Sequence, residues 1–119
     1  EIDAGDIYLK KDLNLNGTAE EIFIRTNKII FQMIKEIINL NIIPEKQVGE
    51  VISFKRRTSD MSNVENVEDI ETMFNHIRML DAEGYPNAYI ETKNFRLEFN
   101  RASLKADKQI IADVRIIQK

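Results

Sequence analysis

The chain has 119 residues, 43% of them hydrophobic and 31% charged, with a formal net charge of −3 and no cysteine. That length holds one small domain or part of a larger one, and the apolar content argues against disorder. The acidic balance argues against a broad electrostatic grip on nucleic acid, the missing thiols exclude a disulfide framework and thiolate metal sites, and no apolar run reaches the roughly 20 residues that span a bilayer.

The first eight residues, Glu1 to Tyr8, contain Ile2-Asp3-Ala4-Gly5-Asp6-Ile7. An apolar residue, Asp-x-Gly, an acidic residue and a return to apolar read as a loop presenting one carboxylate between two strands. With one of those strands lacking, the chain reads as a fragment that begins within an active-site motif. Ile7, Leu9, Leu13 and Leu15 then predict a strand over 6–15, broken by Lys10-Lys11-Asp12. Asn16-Gly17 closes it.

Thr18-Ala19-Glu20-Glu21 is a capping box, with the Thr18 hydroxyl and Glu21 carboxylate satisfying each other's backbone amides. A helix follows to about Leu40. Ile22, Ile29, Met33, Ile37 and Leu40 form one stripe, flanked by Phe23, Ile30, Ile34 and Ile38. The arc is wide enough to predict a well-buried helix. Ile24 and Phe31 fall off the stripe and mark either a crowded core or contact with another part of the protein or a partner subunit. Pro44 is the expected stop.

Val48 to Lys55 reads as an extended stretch, and residues 56–63 as polar loop. The next stripe, Val67, Ile70, Phe74, Ile77 and Leu80, predicts a second helix over 67–80 with Asn66 as N-cap. His76, the only histidine, stands beside that stripe as a structural residue. Glu83-Gly84-Tyr85-Pro86-Asn87 is a turn cluster, in which Tyr85 and Pro86 fix the chain against the helix. Three strand-like runs follow, Ala88–Thr92, Phe95–Asn100 and Ile110–Ile117, the first two joined by a hairpin turn at Thr92-Lys93-Asn94.

The Ile2–Ile7 loop resembles the Asp-x-Gly motif of the folate-dependent formyltransferases. Three further segments resemble that family in order: Gly17–Ile22, the start of the helix after the active-site strand; Phe54–Ser62, the basic loop leaving the catalytic domain; and Ile77–Tyr89, the Arg-to-Tyr-Pro-x-Ala element. The resemblance implies an α/β fold, α+β within this chain. Residues 1–57 would be the C-terminal portion of a formyltransferase catalytic domain, and 58–119 a small appendage of helix and antiparallel strands.

The implied chemistry is acyl transfer from 10-formyltetrahydrofolate to a primary amine. It needs a base, an oxyanion donor and a carboxylate that holds the base in its useful state. Asp3 matches the family's catalytic carboxylate, whereas outside that context it would be a turn residue. Ile2, Ala4 and Gly5 would lie against the pterin ring, with Gly5 allowing close approach. Asp6 would face solvent. Arg56 and Arg57 either meet a substrate phosphate or form a solvated basic segment.

No Asn-x-His pair occurs in these residues. The chain alone is therefore expected to be inactive, with that pair preceding Glu1. About thirty residues after Ala88, nearly balanced in charge, lead to the expectation of a small-molecule amine, such as a nucleotide-linked amino sugar. Nucleic acid is expected as a partner only under the alternative, methionyl-tRNA. A non-catalytic structural module is a third reading. The last strands would cover the sheet or build a homodimer contact. No metal and no membrane are expected, and the default setting is cytoplasmic.

Overall fold

A computed structural model describes residues 4–119. The elements in order are helix α1 (Ala19–Leu40), a 3-10 turn (Ser59–Ser62), helix α2 (Ile70–Met79) and strands β1 (Ala88–Glu91), β2 (Phe95–Leu104) and β3 (Ile110–Gln118). The class is α+β, with one antiparallel sheet in the order β1-β2-β3. Two compact units are present. The first comprises Glu1–Leu15 with Ile22–Lys55, the second Asn16–Glu21 with Arg56–Lys119.

The first unit consists of most of α1 and the irregular segments before and after it. The Lys11 ammonium pairs with Glu36 at 2.9 Å. The Arg25 guanidinium donates from Nε and Nη2 to the Asn14 carbonyl, at 3.2 and 3.0 Å. These contacts lay the 6–15 segment along the helix. The expected strand over 6–15 does not form. Ile7 makes one antiparallel bridge with Glu45, and the segment then runs irregularly. A strand exists only through the ladder of a neighbour, and the single rung at Ile7 is followed by the charged break at Lys10–Asp12.

The capping box forms as the sequence requires. The Thr18 amide donates to Glu21 Oε2 at 2.8 Å, and the Glu21 amide donates to Thr18 Oγ1 at 3.3 Å. The helix ends before Pro44, because Asn41 takes a left-handed conformation (φ 46°). Asparagine tolerates that region better than other side-chain-bearing residues and so stops helices as glycine does. The expectation of a well-buried α1 is not met: Ala19 is its one buried residue. Phe31 is 67% exposed, and Phe23, Ile24, Ile30, Ile34 and Ile38 are exposed as well. A wide apolar arc is buried only where another element covers it, and among the described residues the first unit supplies irregular segments and no second helix or sheet. Val48, Val51, Ile52 and Phe54 are exposed likewise, and the extended stretch expected at 48–55 joins no sheet.

The second unit has a conventional small core. Val64, Ile77, Leu80 and Ala88 are buried, with Val67, Met73, Ile90, Phe99, Ala102 and Ile110 packed against them. Helix α2 starts three residues later than the sequence pattern suggests. Asp69, not Asn66, is the N-cap, and its carboxylate accepts from the Thr72 amide at 2.8 Å. Residues 63–67 are instead taken up by turns, in which the Glu65 amide donates to Asn63 Oδ1 and the Val67 amide to the Val64 carbonyl. Short polar side chains that bond nearby backbone compete with helix at such positions.

The strands lie where the alternation places them, and β2 runs four residues beyond Asn100. Asn100 pairs with Asp113 and Ser103 with Ile111, so one extra residue sits on β2. This bulge resets the side-chain parity. Phe99 and Ala102 therefore both reach the core, and Arg101 takes a φ of 49°. The Asp81 carboxylate fixes the bulge by accepting the Arg101 amide at 2.7 Å. Phe95 is 44% exposed because it borders the turn at Thr92. Arg96 stacks 3.6 Å over the Tyr89 ring and pairs with Glu98, covering the first hairpin.

Ser62 is 1% exposed, and its buried hydroxyl has no partner among the described residues. Ser62→Ala is therefore expected to raise stability by about 1 kcal/mol, since a buried hydroxyl without a partner costs roughly 1–3 kcal/mol. Denaturant midpoints of the two proteins measure it. A midpoint at or below that of the parent would count against the assignment.

Candidate functional site

Both units carry concave regions, and two of these stand beside residues that the sequence singled out. In the first unit the Gly5 carbonyl accepts from Gln47 Nε2 at 2.7 Å, and Ile7 and Glu45 exchange backbone bonds at 2.7 and 2.9 Å. These bonds pin residues 5–7 to the 45–47 segment. A cleft of about 360 Å3 lies beside them, lined among others by Tyr8, Lys10, Ile42 and Lys46. Ala4 and Gly5 are exposed. A methyl group added at Gly5 would meet nothing within 4 Å. Glycine is therefore not needed there for the fold, and its backbone is open to a ligand. Ile2 and Asp3 lie outside the described residues.

The second cleft, about 350 Å3, is built on α2. Thr72, Asn75, His76 and Met79 line it. Their spacing of three, four and seven puts them on a single stripe of the helix. The core stripe, Met73, Ile77 and Leu80, is displaced by one residue, and Leu80, the C-cap, both packs in the core and lines the cleft. Arg57 and Tyr85 complete the lining from the flanking loops. Arg57 Nη2 donates to the Met61 carbonyl at 2.8 Å, which fixes the guanidinium at the rim. Arg56 is exposed and does not line this cleft. The polar stripe was legible in the sequence as the second face of α2, but the placement of Tyr85 beside it depends on the turn at Gly84, whose φ is 81°.

Two carboxylates near this cleft have pKa values below the ordinary value. The Thr72 hydroxyl and amide stabilise the Asp69 carboxylate, and the Thr58 hydroxyl stabilises that of Asp60. Both folded-state values lie below the 3.8 of an unperturbed Asp. The stability they contribute is thus complete above that value and disappears as pH falls through the lowered ones. Asp69→Asn is expected to reduce stability near pH 7 and to show a smaller deficit near pH 2. Urea midpoints at the two pH values check this, and an equal deficit at both would refute it.

Among the described residues no helix is long and apolar enough to cross a membrane. No group of three or more acidic or histidine side chains there is placed to hold a metal ion.

Residues 59–117 match the family model of the methionyl-tRNA formyltransferase C-terminal domain. Among solved structures, a methionyl-tRNA formyltransferase from Clostridium thermocellum is 51% identical, with a TM-score of 0.95 over 100% of this chain and 52% of its own. A curated methionyl-tRNA formyltransferase from Clostridium beijerinckii is 26% identical over 113 residues, 90% of this chain and 36% of its own. The chain thus spans about a third to a half of the length of these relatives.

These relatives are named for methionyl-tRNA, which overturns the expectation of a small-molecule amine partner and no nucleic acid. That expectation rested on net charge and on the short run after Ala88. Net charge averages over the whole surface, and it excludes a broad basic face without excluding contacts made by a few residues. By its match to this C-terminal domain and by the agreement of its whole backbone with a relative at 51% identity, the chain belongs to the formyltransferase family.

Proposed function

We propose that the protein carrying this chain transfers a formyl group to the amino group of methionyl-tRNA in the cytoplasm. The observation that carries the reading is the agreement along the entire chain with a relative named for that reaction, at 51% identity. 10-Formyltetrahydrofolate supplies the formyl carbon when bound. The residues at hand suit it: Gly5 has open space where a side chain would stand, and Gln47 holds its carbonyl. Ile2, Ala4 and Gly5 would hold the pterin ring through their backbone. Asp3 would orient the catalytic base, or a water that relays protons, so that the substrate amine can give up its proton. Arg57, fixed at the rim of the α2 cleft, would meet substrate phosphate.

The test is formylation by the full-length protein, offered methionyl-tRNA and, separately, a nucleotide-linked amino sugar, with radiolabelled formyl donor. Label transfer to methionyl-tRNA is expected. Transfer to the sugar in its place would overturn the reading.

A further inference from the structure

The cleft on α2 has a composition that the core of the second unit does not require. Asn75 and His76 bring an amide and an imidazole to one helix face beside Thr72, whose hydroxyl serves Asp69, and Met79 and Tyr85, respectively 50% and 48% exposed, bring a thioether and a phenol ring. A solvated helix face is usually charged, yet this stripe carries neither Lys nor a carboxylate. Arg57 adds a cation at the rim and commits one of its five N–H donors to the Met61 carbonyl among the described residues. The volume, about 350 Å3, falls at the small end of ligand pockets, roughly 300–1,000 Å3.

An aromatic ring, a soft apolar side chain, two hydrogen-bonding side chains and one guanidinium make up the chemistry that reads an unpaired base and its phosphate. Bases outside a helix stack on aromatic side chains and bond along their edges, and Arg suits the phosphate. With a net charge of −3, this chain has to contact RNA through a discrete site and not through its overall field. Asn75 is held ready, because its Oδ1 accepts from Arg78 Nε at 2.7 Å. That bond sets the direction of the amide and leaves its NH2 as a donor.

We propose that the cleft of Arg57, Thr72, Asn75, His76, Met79 and Tyr85 binds one unpaired nucleotide, stacked on Tyr85 and with its phosphate on Arg57. The inference rests on the proposed function in taking that nucleotide to belong to the tRNA; the chemistry itself is that of any nucleotide.

The experiment measures equilibrium binding of the full-length protein to fluorescently labelled tRNA and to AMP. Tyr85→Ala is expected to weaken tRNA binding roughly 5- to 150-fold, the range for loss of one stacked base, and Tyr85→Phe to leave it within about twofold. Arg57→Ala is expected to lower the slope of log K against log salt by about 1. Tyr85 stands on an exposed turn, and unchanged circular dichroism shows that its variants fold.

Formylation of methionyl-tRNA with no effect of either substitution on binding overturns the cleft and leaves the proposed function standing. Binding of AMP that Tyr85→Ala abolishes, without tRNA binding by the parent protein, keeps the nucleotide site and removes the tRNA reading. Binding of neither probe overturns both.

Discussion

Asp3→Asn is expected to lower the rate of formyl transfer by the full-length protein by roughly 10²- to 10⁴-fold, the range that a positioned acid–base group contributes. The substitution keeps the size of the side chain and removes its charge. A carboxylate that holds a basic partner in its proton-accepting form is then replaced by an amide that favours the wrong tautomer. The loss should fall on kcat and leave KM nearly unchanged, because the group acts on the reacting centre and not on ground-state binding. Gly5→Ala is the companion variant. The fold has room for the methyl group, so stability should stay as it is, while a ligand lying on that backbone would be displaced and the KM for the formyl donor raised. If Asp3→Asn retains more than about a tenth of the parent kcat, Asp3 is a turn residue and not a catalytic one.

The second large effect is expected at the centre of the second unit. Ile77 is 3% exposed and packs among Val64, Leu80 and Ala88. Truncating a buried Ile to Ala costs about 2–5 kcal/mol, from lost transfer free energy and the cavity left behind. At a typical stability of about 0.05–0.15 kcal/mol per residue, a unit of roughly 70 residues has about 4–10 kcal/mol in total. Ile77→Ala therefore removes a large share of it, whereas Ile77→Val costs about 0.5–1.5 kcal/mol. A central cluster of four buried apolar residues leaves little to compensate. Chemical unfolding of the three proteins measures the ranking. A loss below 1 kcal/mol for the Ala variant would show that the cleft side of α2, and not the Ile77 side, holds the helix.

The elements legible in the sequence were those whose signals are local. Thr18 and Glu21 form the capping box that their spacing announces, and the hairpin turn closes through Thr92, whose amide donates to the Phe95 carbonyl at 2.8 Å. Phe99 and Ile77 reach the core that their periods assign them. Signals that depend on a neighbour failed. The alternation over 6–15 cannot become a strand on one bridge, and the apolar arc of α1 cannot be buried without an element to cover it. One misplacement came from a side chain that bonds nearby backbone: Asp69 captures the α2 cap from Asn66. The bulge at Arg101 has no local sign, because it is held by Asp81, twenty residues earlier.

At the candidate sites, the motif around Gly5 was readable as a pattern of residues. The α2 cleft was not, although its helix stripe is present at positions 72, 75, 76 and 79. His76 and Tyr85 had been assigned structural roles. Neither residue type names a ligand alone, and only the fold brings them together with Arg57.

The sheet of the second unit is a simple meander, each strand pairing with the next in sequence. Its hairpins close short loops, and closing short loops is entropically cheap and fast. Two contacts in the same unit reach much further: Arg78 Nη1 donates to the Gly17 carbonyl at 2.8 Å across 61 residues, and the Glu20 amide donates to the Asp81 carbonyl at 3.3 Å. The order of events during folding follows from that difference. The strands and α2 are expected to assemble first as a nucleus, with the 16–21 segment joining after the main barrier. A substitution at Gly17 should then accelerate unfolding and leave the refolding rate almost unchanged, while those at Phe99 or Ile77 should slow refolding.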